Sequence, residues 1–388
     1  EFMAGKLQTA RLTLEELGEL PESYQRIQRE LLLAIDIIQA ETITAAMENR
    51  LATEITEVFD DEATQWQTEQ NNQEFILDLL AYRLEQQGDP VLASLLRRRM
   101  LNETKADPQP AAVDTLIALV NQTSHTQLEL LALKHFTGNK TPWNTFLLTS
   151  TEQLHDISLE LLELKARLLM RDPSQLEEAI AIFDSLPARF DFRLEHNPFN
   201  AQINDCIRDK DCKPRTSARY TRDSFAQKLL DIRKLAEEGN SAMDYYLLGN
   251  AYYNMTYFGP AWYVINYHRS GSYYTGFTDC SAALNFYQKA MQLAQDEELA
   301  AKACFMAAKA EQNLYLMKLQ AEGGDWWGQF TIQDWGDTDE NYERYQANIR
   351  AAGYRTYFQR LQKEYADTDF YDRAVRECKY LEYYVSRS

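Results

Sequence analysis

Apolar residues recur at three- and four-residue steps along most of this chain, which is the spacing of one face of an α-helix. A clear example runs through Ile27, Leu31, Ala34, Ile35 and Ile38. Glycine, proline and aspartate separate such stretches, because these residues end helices for backbone reasons. The alternating Val, Ile and Thr runs that are typical of strands are nearly absent. The pattern therefore predicts an all-α protein.

Two neighbouring stretches combine small and aromatic residues at helical spacing. Their residues are Tyr245, Leu248, Gly249 and Tyr252 in the first stretch and Ala283, Tyr287, Ala290 and Leu293 in the second. Small residues let two helices approach closely, and rings fill the groove beside them. We therefore expect Gly249 and Ala283 to face a neighbouring helix and to be shielded from solvent.

These spacings and residue types resemble the tetratricopeptide repeat, a helical hairpin of about 34 residues. The resemblance implies an α-solenoid of antiparallel helical hairpins, whose usual role is to hold partner proteins. A more degenerate version occurs in residues 154–186, where Ala179 and Phe183 repeat the pairing of a small and an aromatic residue. For this amino-terminal half, an irregular helical bundle is the alternative, since any packed helix pair shows such spacing.

Breakers and composition predict four segments along the chain. Residues 1–11 combine a cloning remnant, Glu1-Phe2 before Met3, with a flexible amino terminus. Residues 12–188 are predicted to be a helical-repeat region. Residues 189–223 form an irregular linker with a cysteine pair, and residues 224–388 form the tetratricopeptide-like region.

The cysteine pair of the linker, Cys206 and Cys212, flanks a short polar loop. This spacing favours a local disulfide, which indicates an oxidising compartment. Free thiols in a loop are the second interpretation. A metal site is the third, although neither flank supplies the further thiols or imidazoles that zinc requires. Cys304 and Cys378 lie on apolar helix faces, so we expect them to be small core residues.

The stretch between Tyr252 and Ala283 is longer by about 22 residues than a plain repeat allows, and it is rich in aromatic residues. The candidate binding residues of this insertion are Tyr257, Trp262, Tyr263, Tyr267, Tyr273 and Tyr274, with Phe258 and Phe277 beside them. They either form a small core of the insertion or line a recognition surface. Tyr and Trp suit recognition because they offer a large contact area with few rotatable bonds.

A second aromatic cluster lies in a glycine-containing loop, residues 323–336. Its members are Trp326, Trp327, Phe330 and Trp335. Three tryptophans exceed what is needed to anchor a loop, so surface recognition is weighed beside packing. If both aromatic loops emerge at the same end of successive hairpins, they meet in one aromatic-walled cleft. Such a wall fits carbohydrate rings or an extended peptide.

An ordered set of short motifs carries a more specific resemblance. The motifs are Asn197-Pro198-Phe199, Asn204-Asp205-Cys206, Leu248-Gly249-Asn250-Ala251-Tyr252-Tyr253-Asn254-Met255-Thr256 and Lys302-Ala303-Cys304-Phe305-Met306. Together they resemble a block of exported bacterial proteins of uncharacterised activity with tetratricopeptide-like carboxy-terminal halves. The resemblance covers residues 197–388 and implies an extracytoplasmic, lipoprotein-like context, with the cytoplasm as the alternative.

The net charge of the chain and its lack of known motifs argue against several classes of function. The formal net charge of −19 opposes binding to nucleic acid or to anionic lipid. The longest apolar run, residues 31–38, is far shorter than the roughly 20 residues that span a bilayer. Asp337, Asp339 and Asn341 have calcium-loop spacing, but Tyr342 stands where the loop needs glycine, so no metal site is expected. No catalytic or cofactor-binding motif appears.

The leading hypothesis from the sequence is a non-catalytic repeat scaffold that binds a protein or peptide partner in the cell envelope. Binding would use the concave face and the aromatic loops of the carboxy-terminal half. The first alternative is a glycan-binding surface protein that uses the Tyr and Trp loops. The second alternative is an enzyme with an unrecognised carboxylate site.

Overall fold

Strong helix formers fill the stretches between breakers, and the chain follows them. The computed structural model describes residues 6–59, 67–97, 110–134, 151–205, 220–266, 276–322 and 339–386. These residues form seventeen α-helices and no β-strand, with one isolated antiparallel bridge between Arg193 and Thr221. The prediction of an all-α fold is confirmed for this part of the chain.

The chain divides into two compact units. The amino-terminal unit comprises residues 1–104 and 108–162, and the carboxy-terminal unit comprises residues 105–107 and 163–388. The division falls within one continuous helix, Thr151–Leu169, which we label α8. The described residues of the predicted linker, 189–205 and 220–223, therefore belong to the carboxy-terminal unit.

The amino-terminal unit packs helices that are not always neighbours in sequence. Its helices are α1 (Leu7–Glu15), α2 (Glu22–Gln39), α3 (Ala45–Phe59), α4 (Gln67–Gln86), α5 (Pro90–Leu96), α6 (Pro110–Val120) and α7 (Gln127–Lys134). Helix α2 packs against both α3 and α4, while α7 packs against α3 and α5. Every buried apolar side chain described in this unit is aliphatic.

Side-chain hydrogen bonds fix the connections of this unit. The carboxylate of Asp89 accepts the N–H of Leu92 at 3.0 Å, and Pro90 occupies the first turn of α5. Proline is favoured there because the first N–H groups of a helix have no partner within the helix. Ile43, in the connection between α2 and α3, is held by the side-chain amide of Gln87, which follows α4. The amide oxygen accepts the Ile43 N–H at 2.5 Å, and the amide nitrogen donates to the Ile43 carbonyl at 3.0 Å.

The carboxy-terminal unit begins within α8, and its described residues form nine further helices. They are α9 (Leu176–Ser185), α10 (Arg222–Gly239), α11 (Ala242–Met255), α12 (Ser281–Leu293), α13 (Glu297–Ala321), α14 (Asp339–Ala351), α15 (Thr356–Glu364), α16 (Asp369–Glu377) and α17 (Lys379–Ser386). Successive helices from α9 to α13 pack against one another, and α13 also packs against α15 and α16. Unlike the other core, this one is rich in Tyr and Phe.

Short polar residues determine where several of these helices begin. The side chains of Thr221, Ser241, Asp296 and Thr368 each accept an N–H from the first turn of the helix that follows. Such caps satisfy donors that have no partner within the helix. Between α10 and α11, Asn240 takes the left-handed conformation, with φ 46°, which allows α11 to follow almost at once.

The close approach of α11 and α12 occurs at Gly249. A Cβ atom on Gly249 would lie 2.5 Å from the ring of Tyr287, so only glycine leaves room for that ring. Ala283 is buried on α12, and the Tyr287 hydroxyl donates to Asn250 Oδ1 at 3.0 Å. The expectation is confirmed for Gly249, which faces α12, and the predicted burial of Ala283 is confirmed as well.

Helix α13 uses two glutamates to fix the helices that follow. Glu298 accepts the N–H groups of Asp369 and Phe370, at 2.6 and 3.1 Å, where α16 begins. Glu311 accepts those of Thr356 and Tyr357, at 3.2 and 3.3 Å, where α15 begins. Burial outweighs these contacts at Glu311 and raises the pKa of its carboxyl group. Both carboxylates act as helix caps supplied by a different helix.

Candidate functional site

The aromatic insertion after α11 folds back onto that helix. The carbonyl of Asn254 accepts the N–H of Ala261 at 3.0 Å. Gly259 lies so close that a Cβ atom there would stand 2.2 Å from the Cα atom of Asn254. A short 3₁₀ turn, Trp262–Val264, follows. The insertion therefore begins as a packed extension of α11.

The two ends of the insertion are held together at its base. The N–H of Tyr257 donates to the carbonyl of Phe277 at 2.7 Å, and the N–H of Phe277 donates to Asn266 Oδ1 at 3.0 Å. Tyr257 and Phe258 are completely buried, with their rings 5.5 Å apart in an edge-to-face arrangement. Tyr257 therefore belongs to the small core of the insertion, and it presents no surface for recognition.

Tyr263, a partly exposed ring of the insertion, contacts a segment of the linker. Phe192 lies edge-to-face against Tyr263, with ring centroids 5.9 Å apart, and Trp262 lies edge-to-face on Tyr263 at 6.0 Å. The His196 ring is 6.3 Å from that of Tyr263. We call these four residues, Phe192, His196, Trp262 and Tyr263, the aromatic surface. Phe192 is its most exposed member, at 45%.

Tyr263 holds this surface together through both ends of its residue. Its hydroxyl accepts the N–H groups of Glu195 and His196, at 2.7 and 3.0 Å. Its carbonyl accepts from Arg167 at 3.0 Å, and Arg167 also donates to Val264 at 3.0 Å. Burial raises the pKa of the Tyr263 hydroxyl, although the two N–H groups oppose that shift. The phenol therefore stays neutral at physiological pH.

A group of buried ion pairs contacts the aromatic surface. Glu163 pairs with Arg167, at 3.5 Å, and with Arg222. The Arg222 guanidinium lies 5.4 Å from the centroid of the Phe192 ring, a cation–π contact. Two arginines therefore fix the aromatic surface, Arg167 at the Tyr263 backbone and Arg222 at the Phe192 ring, and Glu163 pairs with both of them.

A second cluster is polar and lies where residues 197–205 of the linker meet α11 and α13. The side-chain amide of Asn250 donates to the carbonyl of Phe199 at 3.0 Å. That of Asn254 donates to the carbonyls of Pro198 and Asn200, at 2.7 and 2.8 Å. These asparagines form hydrogen bonds with the backbone of a turn, residues 198–200, so the position of that turn does not depend on side-chain packing alone.

The same linker segment ends with a carboxylate held by three donors. Asp205 accepts from the Tyr253 hydroxyl at 2.6 Å, from Lys309 Nζ at 2.8 Å and from Asn313 Nδ2 at 3.2 Å. Lys309 also donates to the carbonyl of Gln202 at 2.7 Å. We call Tyr253, Lys309 and Asn313 the donor triad.

The structure accounts for some of the residues that the sequence singled out. Trp262 and Tyr263 belong to the aromatic surface, and Tyr257 is buried. The other candidates lie outside the described residues: Tyr267, Tyr273, Tyr274, Trp326, Trp327, Trp335, Cys206 and Cys212. Whether the two aromatic loops meet, and whether the cysteine pair is a disulfide, therefore stay predictions.

Sequence reasoning missed Phe192, His196 and the donor triad. Phe192 and His196 stand in a segment without helical periodicity, so no pattern distinguished them. Lys309 and Asn313 lie on the buried side of the alanine-rich α13. One signal was available, since a lysine and an asparagine four residues apart on an otherwise apolar face need a polar partner. Three of the four short motifs that carry the resemblance to exported proteins supply residues to the two clusters or to the segment that the asparagines hold.

The described cysteines are not reactive groups. Cys280, Cys304 and Cys378 are buried free thiols. Burial raises the pKa of Cys304 to about 12 and raises those of the other two. Thiolates are the reactive species, so these thiols are inert near neutral pH. The predicted burial of Cys304 and Cys378 is confirmed.

The described residues contain no group of three or more His, Cys, Asp or Glu residues arranged to hold a metal ion. None of their helices is long and apolar enough to cross a membrane.

Comparisons with other proteins add no assignment. No protein family model matches this chain, and neither a curated protein nor a solved structure matches it significantly.

Proposed function

We propose that the carboxy-terminal unit is a non-catalytic scaffold that binds a protein or peptide partner. In this proposal its consecutive helices form an α-solenoid of tetratricopeptide-like hairpins. The aromatic surface is its contact site. The observation that carries the proposal is an exposed phenylalanine, Phe192, held between the buried Arg222 and the ring of Tyr263.

The side chains of the aromatic surface are already held in place, so a partner can bind without having to order them. Ordering side chains and loops during association costs free energy, and groups that are already fixed avoid that cost. Tyr263 is anchored through its hydroxyl and its carbonyl, and Phe192 is fixed between Tyr263 and Arg222. Aromatic residues of this kind, surrounded by contacts that exclude water, commonly dominate binding energy.

Ring geometry favours a protein or peptide over a glycan. The rings of Phe192 and Trp262 meet Tyr263 at 65° and 82°, so the three do not form one flat platform. Arg222 stacks against the Phe192 ring, and the Tyr263 hydroxyl already accepts two N–H groups. A sugar needs an open ring face and free polar groups, whereas a side chain fits between rings set at an angle.

Capture from a native extract tests this proposal. We expect the wild-type protein to retain a specific partner, Phe192→Ser to lose at least about 90% of it, and Leu235→Ser to retain it. Leu235 is the matched control because it is comparably exposed, at 53%, on α10. Circular dichroism checks that both variants fold. Equal capture by the two variants would exclude the aromatic surface as the contact site.

Two further assays separate the alternatives. A change in tryptophan fluorescence on addition of oligosaccharides, lost in Trp262→Ala, would favour the glycan-binding alternative. Turnover in a broad hydrolase screen would contradict a non-catalytic scaffold. The proposal predicts neither result.

We also propose an extracytoplasmic location, which rests on the Cys206 and Cys212 spacing and on the resemblance to exported proteins. A thiol count under denaturing, non-reducing conditions tests it. The sequence contains five cysteines, and three described cysteines are free. We expect three reactive thiols before reduction and five after. Five thiols before reduction would remove the chemical argument for an oxidising compartment.

A further inference from the structure

The donor triad has the chemistry of an anion site. A lysine ammonium, a phenol hydroxyl and a side-chain amide converge on the two oxygens of one carboxylate, Asp205. Charge-assisted hydrogen bonds of this kind are short and strong in a site shielded from water. Only about 7% of the Lys309 side chain is exposed, against 15% for Asp205. The carboxylate is therefore the more exposed partner of this ion pair.

The donors are held in place without help from Asp205. Tyr253 belongs to α11, and Lys309 and Asn313 belong to α13, two helices that pack against each other. Asn313 donates to the Tyr253 hydroxyl at 2.8 Å, and the Lys309 ammonium lies 4.9 Å from the centroid of the Tyr253 ring. By contrast, Asp205 belongs to a loop.

The loop is also held independently of its carboxylate. Asn250 and Asn254 bind the backbone carbonyls of residues 198–200, and Phe199 packs against Phe225 with ring centroids 5.4 Å apart. Removing the Asp205 side chain therefore leaves both walls of the site in place. The space that it leaves has the size of a carboxylate and faces three donors.

We propose that Tyr253, Lys309 and Asn313 form a preorganised carboxylate-binding site that Asp205 occupies in cis. The site takes an external carboxylate, either the side chain of an acidic residue or the carboxy terminus of a peptide, when the Asp205 carboxylate is absent. The proposal goes beyond partner binding through the aromatic surface and uses none of its residues, so either proposal can fail without the other.

Chemical rescue of Asp205 variants tests the site, with sodium formate and sodium acetate as probes. Asp205→Ala removes a group the size of formate, and Asp205→Gly removes one the size of acetate. We expect formate to raise the unfolding midpoint of Asp205→Ala by about 2–4 °C more than sodium chloride at equal ionic strength. Acetate should do the same for Asp205→Gly. Each variant should respond best to the acid that restores its missing atoms.

Three controls separate a site from a general salt effect. Wild-type protein and Asn204→Ala, a change at the exposed neighbour, should respond to formate and chloride alike. Asp205→Asn, which fills the same space, should also show no specific response. In Asp205→Ala combined with Lys309→Met, formate should lose its effect, because the cation that attracts it is gone.

The source of the carboxylate is distinguished with two small probes on Asp205→Gly. N-acetylglycine carries a main-chain carboxylate, and the N-methylamide of N-acetylaspartate carries a side-chain carboxylate. A specific rise with either one supports the site and identifies the class of ligand.

Failure has a clear form. Midpoints of Asp205→Ala and Asp205→Gly that respond to formate and acetate no more than wild type would overturn the proposal. So would a response that survives Lys309→Met. If a variant does not fold alone, the same salts are tested for recovery of its helical circular dichroism, and no recovery is the same negative result.

Discussion

The two units of this protein are both helical, yet their cores are built from different chemistry. In the amino-terminal unit, the described core contains Leu, Ile, Val and Ala but no buried aromatic residue. In the carboxy-terminal unit, buried tyrosines and phenylalanines surround buried polar groups such as Asn250, Asn254, Lys309 and Asn313. Directional contacts between rings and polar groups therefore occupy a larger part of the carboxy-terminal core than of the amino-terminal one.

Because their cores differ, the two units should differ in how well they tolerate substitutions. Burial of aliphatic area is not directional, so volume-conserving changes in such a core are usually tolerated. Rings that fit against a glycine, and hydroxyl groups that donate to one amide, have far fewer acceptable arrangements. We therefore expect the carboxy-terminal unit to respond more strongly to small substitutions.

Gly259→Ala should be the most damaging change. The added Cβ atom would lie 2.2 Å from the Asn254 Cα atom, and a backbone neighbour cannot move aside cheaply. We expect a loss of about 3 kcal/mol in the free energy of unfolding, measured by urea denaturation. Gly239→Ala is the matched control, because no atom lies within 4 Å of its added Cβ. Similar midpoints for the two variants would mean that the insertion is not packed against α11.

Gly249→Ala should cost about 2 kcal/mol. Its Cβ atom meets the Tyr287 ring, which is buried and held by its hydroxyl contact to Asn250. If the ring is the cause, the loss in a Tyr287→Leu background should be smaller by at least about 1 kcal/mol. Additive losses in the double-mutant cycle would contradict a direct clash between ring and helix.

Tyr287→Phe and Tyr252→Phe remove the same atom from neighbouring buried sites. The Tyr287 hydroxyl donates to Asn250, so its loss should cost about 1.5 kcal/mol. The Tyr252 hydroxyl is buried and has no hydrogen-bond partner in the described part of the chain. Its removal should leave stability unchanged or slightly higher, since an unpaired buried polar group is unfavourable. Equal losses in thermal unfolding would show that directional contacts do not distinguish these positions.

Leu80→Met, in the aliphatic core, should cost no more than about 1 kcal/mol. Leu80 is completely buried on α4, so the site tests core packing while nearly conserving volume. Denaturant titration of this variant beside Gly249→Ala compares the two cores directly. A loss as large as that of Gly249→Ala would remove the contrast between the units.

Local sequence patterns predicted much of the fold. The helical periodicity predicted the all-α class, and the small residues at Gly249 and Ala283 predicted a close helix approach that the structure contains. These predictions succeeded because the residues involved are neighbours along one helix or lie on successive helices. The packing of α3 and α5 against α7 had no such signal, because the partners are separated along the chain.

The candidate site was predicted only in part. Tyr263 stood out because an aromatic residue in an insertion needs a reason, and the structure places it at the centre of the aromatic surface. Phe192 did not stand out, since a single phenylalanine in an irregular segment has no pattern. Composition does not decide whether the ring of Tyr257 is buried or exposed, so its burial was not predicted.

Periodicity and residue size act over short distances along the chain. They were therefore enough to predict the helical class, the close approach at Gly249 and the burial of Cys304 and Cys378. The tertiary structure alone decided that Asp205 meets Asn313, 108 residues later, and that Phe192 meets Tyr263. Contacts of this kind depend on the path of a loop across folded helices. No periodic pattern records that path, because each polar partner is chosen by position in space.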